Sequence, residues 1–147
     1  MRVVLDTNVL VSALLVQGSV PDQVVRLALA GRFTWLVDSR IVAEYRDVLR
    51  RGSFGFAADD VRDILKVVDD YAEWVVANPL RVTLRDESDR AFIEVAVAGG
   101  ADLIVTGNIA DFRIAEGRLD VRVLTPRRFL DALSAGSTLA GVPRSVR

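Results

Sequence analysis

The residues of this chain able to carry chemistry are carboxylates placed just after apolar runs. Val3-Val4-Leu5 breaks into Asp6-Thr7-Asn8, and Leu103-Ile104-Val105-Thr106 breaks into Gly107-Asn108, with Asp111 close behind. Both runs read as strands buried on both faces. An ionisable aspartate at the end of such a strand is costly unless something pairs with it. In open α/β sheets that end is also where ligands bind. Glu44 lies within an amphipathic segment, and Asp86 and Asp89 precede an apolar one that holds Glu94. Each acid also has a structural account. Asp6, Asn8 or Asp86 can cap a helix, Asp89 can complement a first turn, Glu44 can be a solvated surface charge, and Glu94 an exposed partner of Arg90.

Composition restricts what these acids can do. The chain has no histidine and no cysteine, which excludes a Ser-His-Asp triad, a Cys-His pair and a nitrogen- or sulfur-ligated zinc site. The usual neutral-pH base is missing too. What remains is carboxylate chemistry, best served by a hard divalent cation with oxygen ligands. A net charge of −1 supplies no overall attraction to nucleic acid. The basic residues are nearly all arginine, with Lys66 the one lysine, and arginine suits bidentate contact with phosphate or carboxylate.

The elements that must position the acids follow from periodicity. The length of 147 residues suits one domain with a real core. No apolar run approaches the ~18 residues of a membrane span, and the opening strand leaves no visible signal peptide, so a cytoplasmic protein is expected. After the first strand, a helix is predicted over 9–16, and a second from Pro21 to a stop at Gly31. A strand follows over 33–37, then a helix capped by Ser39 and running to about Arg50. Apolar residues at helical spacing predict a long helix over 58–76, stopped by Asn78-Pro79. Residues 80–84 read as a short strand, 91–98 as a buried helix, 103–106 and 121–124 as strands, and 127–133 as a last helix. One domain is thus expected over 1–133, with a loose tail over 134–147.

Strands alternating with helices imply a mostly parallel sheet covered on both faces, an α/β/α sandwich. Asp6, Asn8, Glu44, Asp89, Asn108 and Asp111 then share one rim, where clustered carboxylates repel unless a cation neutralises them.

Taken in order, Leu5-Asp6-Thr7-Asn8, Asp38-Ser39 leading to Glu44-Tyr45-Arg46-Asp47-Val48-Leu49, Asp86-Glu87-Ser88-Asp89-Arg90, and Gly100 to Asn108 with Asp111-Phe112 resemble a PIN domain. The similarity is strongest to the VapC toxins of bacterial and archaeal toxin–antitoxin systems. The resemblance implies a nuclease domain over 1–133 with a roughly five-stranded parallel sheet between helices, and Mg²⁺- or Mn²⁺-dependent cleavage of RNA. Carried over by position, the catalytic and metal-binding acids fall on Asp6, Glu44, Asp89 and, for the fourth, Asp111 or the Asn108 position. Thr7, Asn8, Asp86, Thr106 and Asn108 support them, orienting ligands and water. The partners implied are an RNA substrate, a small antitoxin and a second copy of the chain, with the first two helices around Leu14, Leu15 and Val24 as a docking area. Ser88 and Arg90 stand where relatives often have a denser acidic run, and Asn108 where many have Asp. Arg40, Arg46, Arg50 and Arg85 are candidates for substrate phosphate.

Two other readings compete. A haloacid-dehalogenase-like phosphohydrolase also opens on a strand ending in Asp, but needs a second Asp where Asn8 stands and a lysine in a second strand motif, where this chain has none. The other is a PIN fold that is catalytically weak or inactive and serves only to bind a partner.

Overall fold

The computed structural model describes residues 1–135. Its centre is β1 (Arg2–Leu5), where Val3, Val4 and Leu5 are wholly buried. Parallel neighbours flank β1: β2 (Thr34–Val37) on one side and β4 (Leu103–Val105) on the other. β3 (Glu73–Trp74) pairs beyond β2, and β5 (Arg122–Leu124) beyond β4. The order is β3-β2-β1-β4-β5, with every pairing parallel. The chain runs outward from β1 in one direction and later restarts on the other side. The gap between β1 and β4 is therefore the switch point at which α/β sheets open a crevice.

Helices fill the connections. α1 (Thr7–Leu15) begins straight off β1, and α2 (Val20–Leu29) is capped by Ser19, with proline in its first turn. Gly31, at φ +70°, ends α2 in the left-handed conformation that glycine adopts without strain. α3 (Ser39–Leu49) is capped by Asp38 rather than the expected Ser39, because Asp38 Oδ1 accepts from the Ile41 amide at 2.9 Å. α5 (Arg90–Ala98) and α7 (Pro126–Ser134) lie where periodicity put them. α6 (Arg113–Arg118) was not anticipated. The helix begins at Thr7, not residue 9, so the Asp6-Thr7-Asn8 tripeptide is a strand-to-helix junction with no intervening loop.

The long helix is the main departure. α4 (Ala58–Tyr71) stops before 72, although Ala72 and Val75 continue its apolar spacing. The open edge of β2 takes these residues instead: Leu36 and Val37 pair with Glu73 and Trp74, and the Val75 amide donates to Val37 O at 2.8 Å. Satisfying that backbone edge outweighs helical periodicity. Residues 80–84, expected as a strand, pair with no strand. The Arg90 guanidinium holds them, donating to Leu80 O at 2.9 Å and Val82 O at 2.8 Å.

Two further contacts set α3 against the sheet and α5. Glu94, in α5, is buried rather than an exposed partner of Arg90. Its carboxylate accepts from Arg40 at 2.7 Å and from the Leu80 amide at 2.8 Å, with Arg90 at 3.6 Å. Burial alone would raise its pKa, but those donors and charges hold it below the usual range. Tyr45, fully buried in α3, donates its hydroxyl to Leu5 O at the end of β1 and accepts from Trp35 Nε1 at 3.3 Å. Its ring lies 6.2 Å from Phe92 of α5.

Of the expected docking residues, Val24 is fully buried between helices while Leu15 is exposed, so only the outer part of that surface is accessible. Ser134 is the last residue of α7, and beyond Ala135 the expected tail lies outside the described residues. No helix among the described residues is long and apolar enough to cross a membrane.

Tyr45→Phe keeps the ring and strands a buried carbonyl. It should lower unfolding free energy by about 1–3 kcal/mol, read from urea unfolding with an unchanged m-value. An unchanged midpoint would show that the hydroxyl contributes nothing.

A candidate active site at the carboxyl edge of the sheet

Asp6 stands at the switch point. Its backbone amide continues the ladder by donating to Val105 O at 2.9 Å, so the carboxylate leaves the sheet at its carboxyl edge. Oδ1 accepts from the Thr7 amide at 2.8 Å and Oδ2 from the Thr106 hydroxyl at 2.7 Å. These two bonds spread the site in both directions. The Thr7 hydroxyl donates to Glu44, drawing in the middle of α3. Thr106 Oγ1 also accepts from the Asn108 amide at 2.9 Å, and Asn108 Nδ2 donates to Asp111 at 2.6 Å. Asn8 ties the same two loops by accepting from the Gly107 amide at 3.2 Å.

Asp89 arrives from a fourth element, a 3-10 turn (Glu87–Asp89) ahead of α5. It is buried, and its Oδ2 has no hydrogen-bond partner among the described residues. Burial raises its pKa to about 7, and the charges of Asp6, Asp86, Asp111 and Glu44 add to the effect. Asp6 is raised to about 6, first by burial and then by Glu44 and Asp111, against the lowering effect of Thr106 and Thr7. Asp89 and Asp6 thus each lie within electrostatic reach of Glu44 and Asp111. Asp86 stays exposed and caps the turn through the Ser88 amide at 2.9 Å and hydroxyl at 2.8 Å, which lowers its own pKa.

No group of three or more acids among the described residues is already arranged to hold a metal ion. Several of their oxygens are instead turned to threonine hydroxyls and the Asn108 amide. The chemistry of the set nevertheless fits a hard cation. All donors are oxygens, two are buried carboxylates reluctant to ionise together, and one buried oxygen lacks any partner.

The arginines divide sharply. Arg40 is held by Asp38 at 2.8 Å and Glu94 at 2.7 Å, and Arg90 by Glu87 and two carbonyls. Arg90 therefore braces the 80–84 segment. Arg85 is exposed at the rim, 4.0 Å from Asp111. The Arg40–Glu94 pair could not be read from the sequence, since 54 residues separate its members.

An α/β domain with acids gathered at its switch point has a clear family. The PIN-domain family description matches residues 2–110, and the chain belongs to that family. The chain is also similar to one in the crystal structure of VapBC2 from Rickettsia felis bound to a DNA fragment from their promoter. That likeness has a TM-score of 0.57 at 18% identity, over 85% of this chain and 98% of the other, and it is one of fold. No curated protein matches.

Carboxylates with raised pKa values make stability fall as pH rises. Between the unfolded aspartate value of ~3.9 and the native values of about 6 and about 7, the folded protein binds more protons than the unfolded chain, so each step up in pH costs stability. In EDTA, the melting temperature of the wild type should decline from pH 5 to pH 8, and Asp89→Asn should flatten the decline. Equal slopes in the two proteins would show that Asp89 is not strained.

Proposed function

We propose that this chain is a divalent-metal-dependent ribonuclease, using Mg²⁺ or Mn²⁺ to hydrolyse RNA phosphodiester bonds at Asp6, Glu44, Asp89 and Asp111. The observation that carries the reading is the buried, unpartnered Asp89 Oδ2 among three further carboxylates at the switch point of a PIN fold. Asp6 and Asp89 would hold the ion, with Glu44 and Asp111 completing the oxygen set. When bound, the ion supplies charge neutralisation at the phosphate and lowers the pKa of the attacking water, which removes the need for histidine. The chain's own residues do the positioning. Thr7 and Thr106 fix the orientation of the Asp6 carboxylate from both sides, and Thr7 ties Glu44 to the same turn. Asn108 orients Asp111. Arg85, exposed beside Asp111, is placed to meet a substrate phosphate and could exchange its long contact with the acid for a phosphate oxygen.

The biological role we propose is that of the toxin in a toxin–antitoxin pair, acting in the cytoplasm, self-associating and restrained by a small antitoxin. The fold likeness to a chain of the VapBC2 assembly supports this reading. A PIN fold that binds a partner without cleaving is favoured by one observation, the absence of a ready ion cage among the described residues.

Asp6→Asn separates the two. The variant should be at least as stable as wild type in EDTA, because repulsion is relieved. Added Mg²⁺ or Mn²⁺ at 100 times its dissociation constant should stabilise wild type by about 2.7 kcal/mol and the variant by much less. Cleavage of RNA should fall by ~100-fold or more, as when a group stabilising transition-state charge is removed. Thermal melts and a cleavage assay on both proteins check this. Equal gain from metal and equal cleavage would leave Asp6 as a helix cap only.

A further inference from the structure

A cavity of about 370 Å³ lies away from the acid cluster, between the end of α3 and the start of α4. Its charged lining is Arg50, Arg51 and Arg62, and no carboxylate lines it. Those cations are partly balanced by Asp47 and Asp59, which do not line the cavity. Among the described residues, Arg51 and Arg62 make ion pairs only with Asp47 and Asp59, both pairs well exposed. Such pairs are worth little and exchange readily for another anion. Arg50 makes no ion pair among the described residues.

The cavity wall also carries an aromatic surface. Phe56 lines it, and Phe54 stacks on Phe56 with ring centroids 5.3 Å apart and planes 7° from parallel. Gly55, between them at φ +66°, makes the turn that lets both rings stack. Guanidinium groups beside a stacked aromatic pair are the combination that holds single-stranded nucleic acid, phosphate to arginine and base to ring. The cavity's position suits a strand that also reaches the acids. Arg50 caps α3, six residues past Glu44, or about 9 Å along the helix axis at 1.5 Å per residue.

We infer that the α3–α4 cavity is a binding subsite for single-stranded RNA outside the cleavage site, with Arg50, Arg51 and Arg62 on successive backbone phosphates and Phe56 against a base. The identity of the ligand rests on the ribonuclease reading above. The subsite gives a chain with no overall positive charge a local hold on its substrate, and it makes binding depend on RNA long enough to span from the acids to the cavity.

The test is fluorescence anisotropy of a labelled mixed-sequence 12-nucleotide single-stranded RNA, a length of ~12 chosen to exceed the few nucleotides a single binding surface covers. It uses the full chain in EDTA across a salt series. Arg50→Ala/Arg62→Ala should weaken binding about tenfold and reduce the slope of log affinity against log salt by ~1.4, at ~0.7 for each single-strand phosphate no longer neutralised. Arg50→Lys/Arg62→Lys, which keeps the charge, should retain most of the affinity and guards against a folding defect. Unchanged affinity and slope in the alanine variant overturn the subsite, as does absence of RNA binding by wild type. Equal competition by polyglutamate of matched charge also overturns it, in favour of an acidic-peptide site. Cleavage by wild type in Mg²⁺ is measured alongside. Binding that depends on Arg50 and Arg62 without cleavage overturns the ribonuclease reading and leaves the subsite standing.

Discussion

The structure turns on one constraint: a carboxylate must be accommodated where the central strand ends. β1 has no solvent-facing side, and the residue after it is Asp6. Nothing positively charged among the described residues is bonded to that carboxylate. Its hydrogen-bond donors are neutral, the Thr7 amide and the Thr106 hydroxyl, and they offset only part of the cost of burial, so its pKa stays raised. The neighbouring acids make matters worse rather than better. An arrangement of this kind is destabilising for an isolated protein, and it persists because the surrounding core fixes the backbone on every side.

That core is built to leave the chain no alternative. Parallel pairing on both sides fixes β1, and Tyr45 bonds the last carbonyl of the strand from α3. Glu94 and Arg40 join α5 to α3 through a buried carboxylate. Arg90 ties the irregular 80–84 segment to the start of α5, just after Asp89. In this way α3 and α5, which deliver Glu44 and Asp89, are both held by polar contacts that do not touch the site. A buried carboxylate beside an arginine and an unpartnered one beside other acids are opposite electrostatic solutions. The protein uses the first to brace its frame and keeps the second for the switch point.

The same contrast sorts the arginines. Those whose guanidinium groups are engaged by buried acids or carbonyls, Arg40 and Arg90, serve the fold. Those left at the surface, Arg85 at the acid rim and Arg50, Arg51 and Arg62 around the α3–α4 cavity, remain accessible to an anion.

The sequence by itself located the strands at 3–5, 33–37, 103–106 and 121–124 to within a residue at each end, because continuous β-branched and aliphatic runs have no other home than a doubly covered sheet. It also excluded any chemistry that needs histidine or cysteine, since both are absent. It placed Asp6 and Asp111 beyond strand ends, because those positions follow directly from local pattern. Tertiary structure decided the rest. Only the unpaired edge of β2 explains why residues 73–74 leave a helical pattern to form β3. Only the approach of α3 to α5 turns Glu94 from an ordinary helix-surface pair into a buried clamp for Arg40. Asp89 looks like a first-turn acid in the sequence, and its partnerless burial beside Asp6 arises from packing between segments more than eighty residues apart. Periodicity reports which face of an element is apolar. It carries no information about which open hydrogen-bonding edge or distant charge that element will meet.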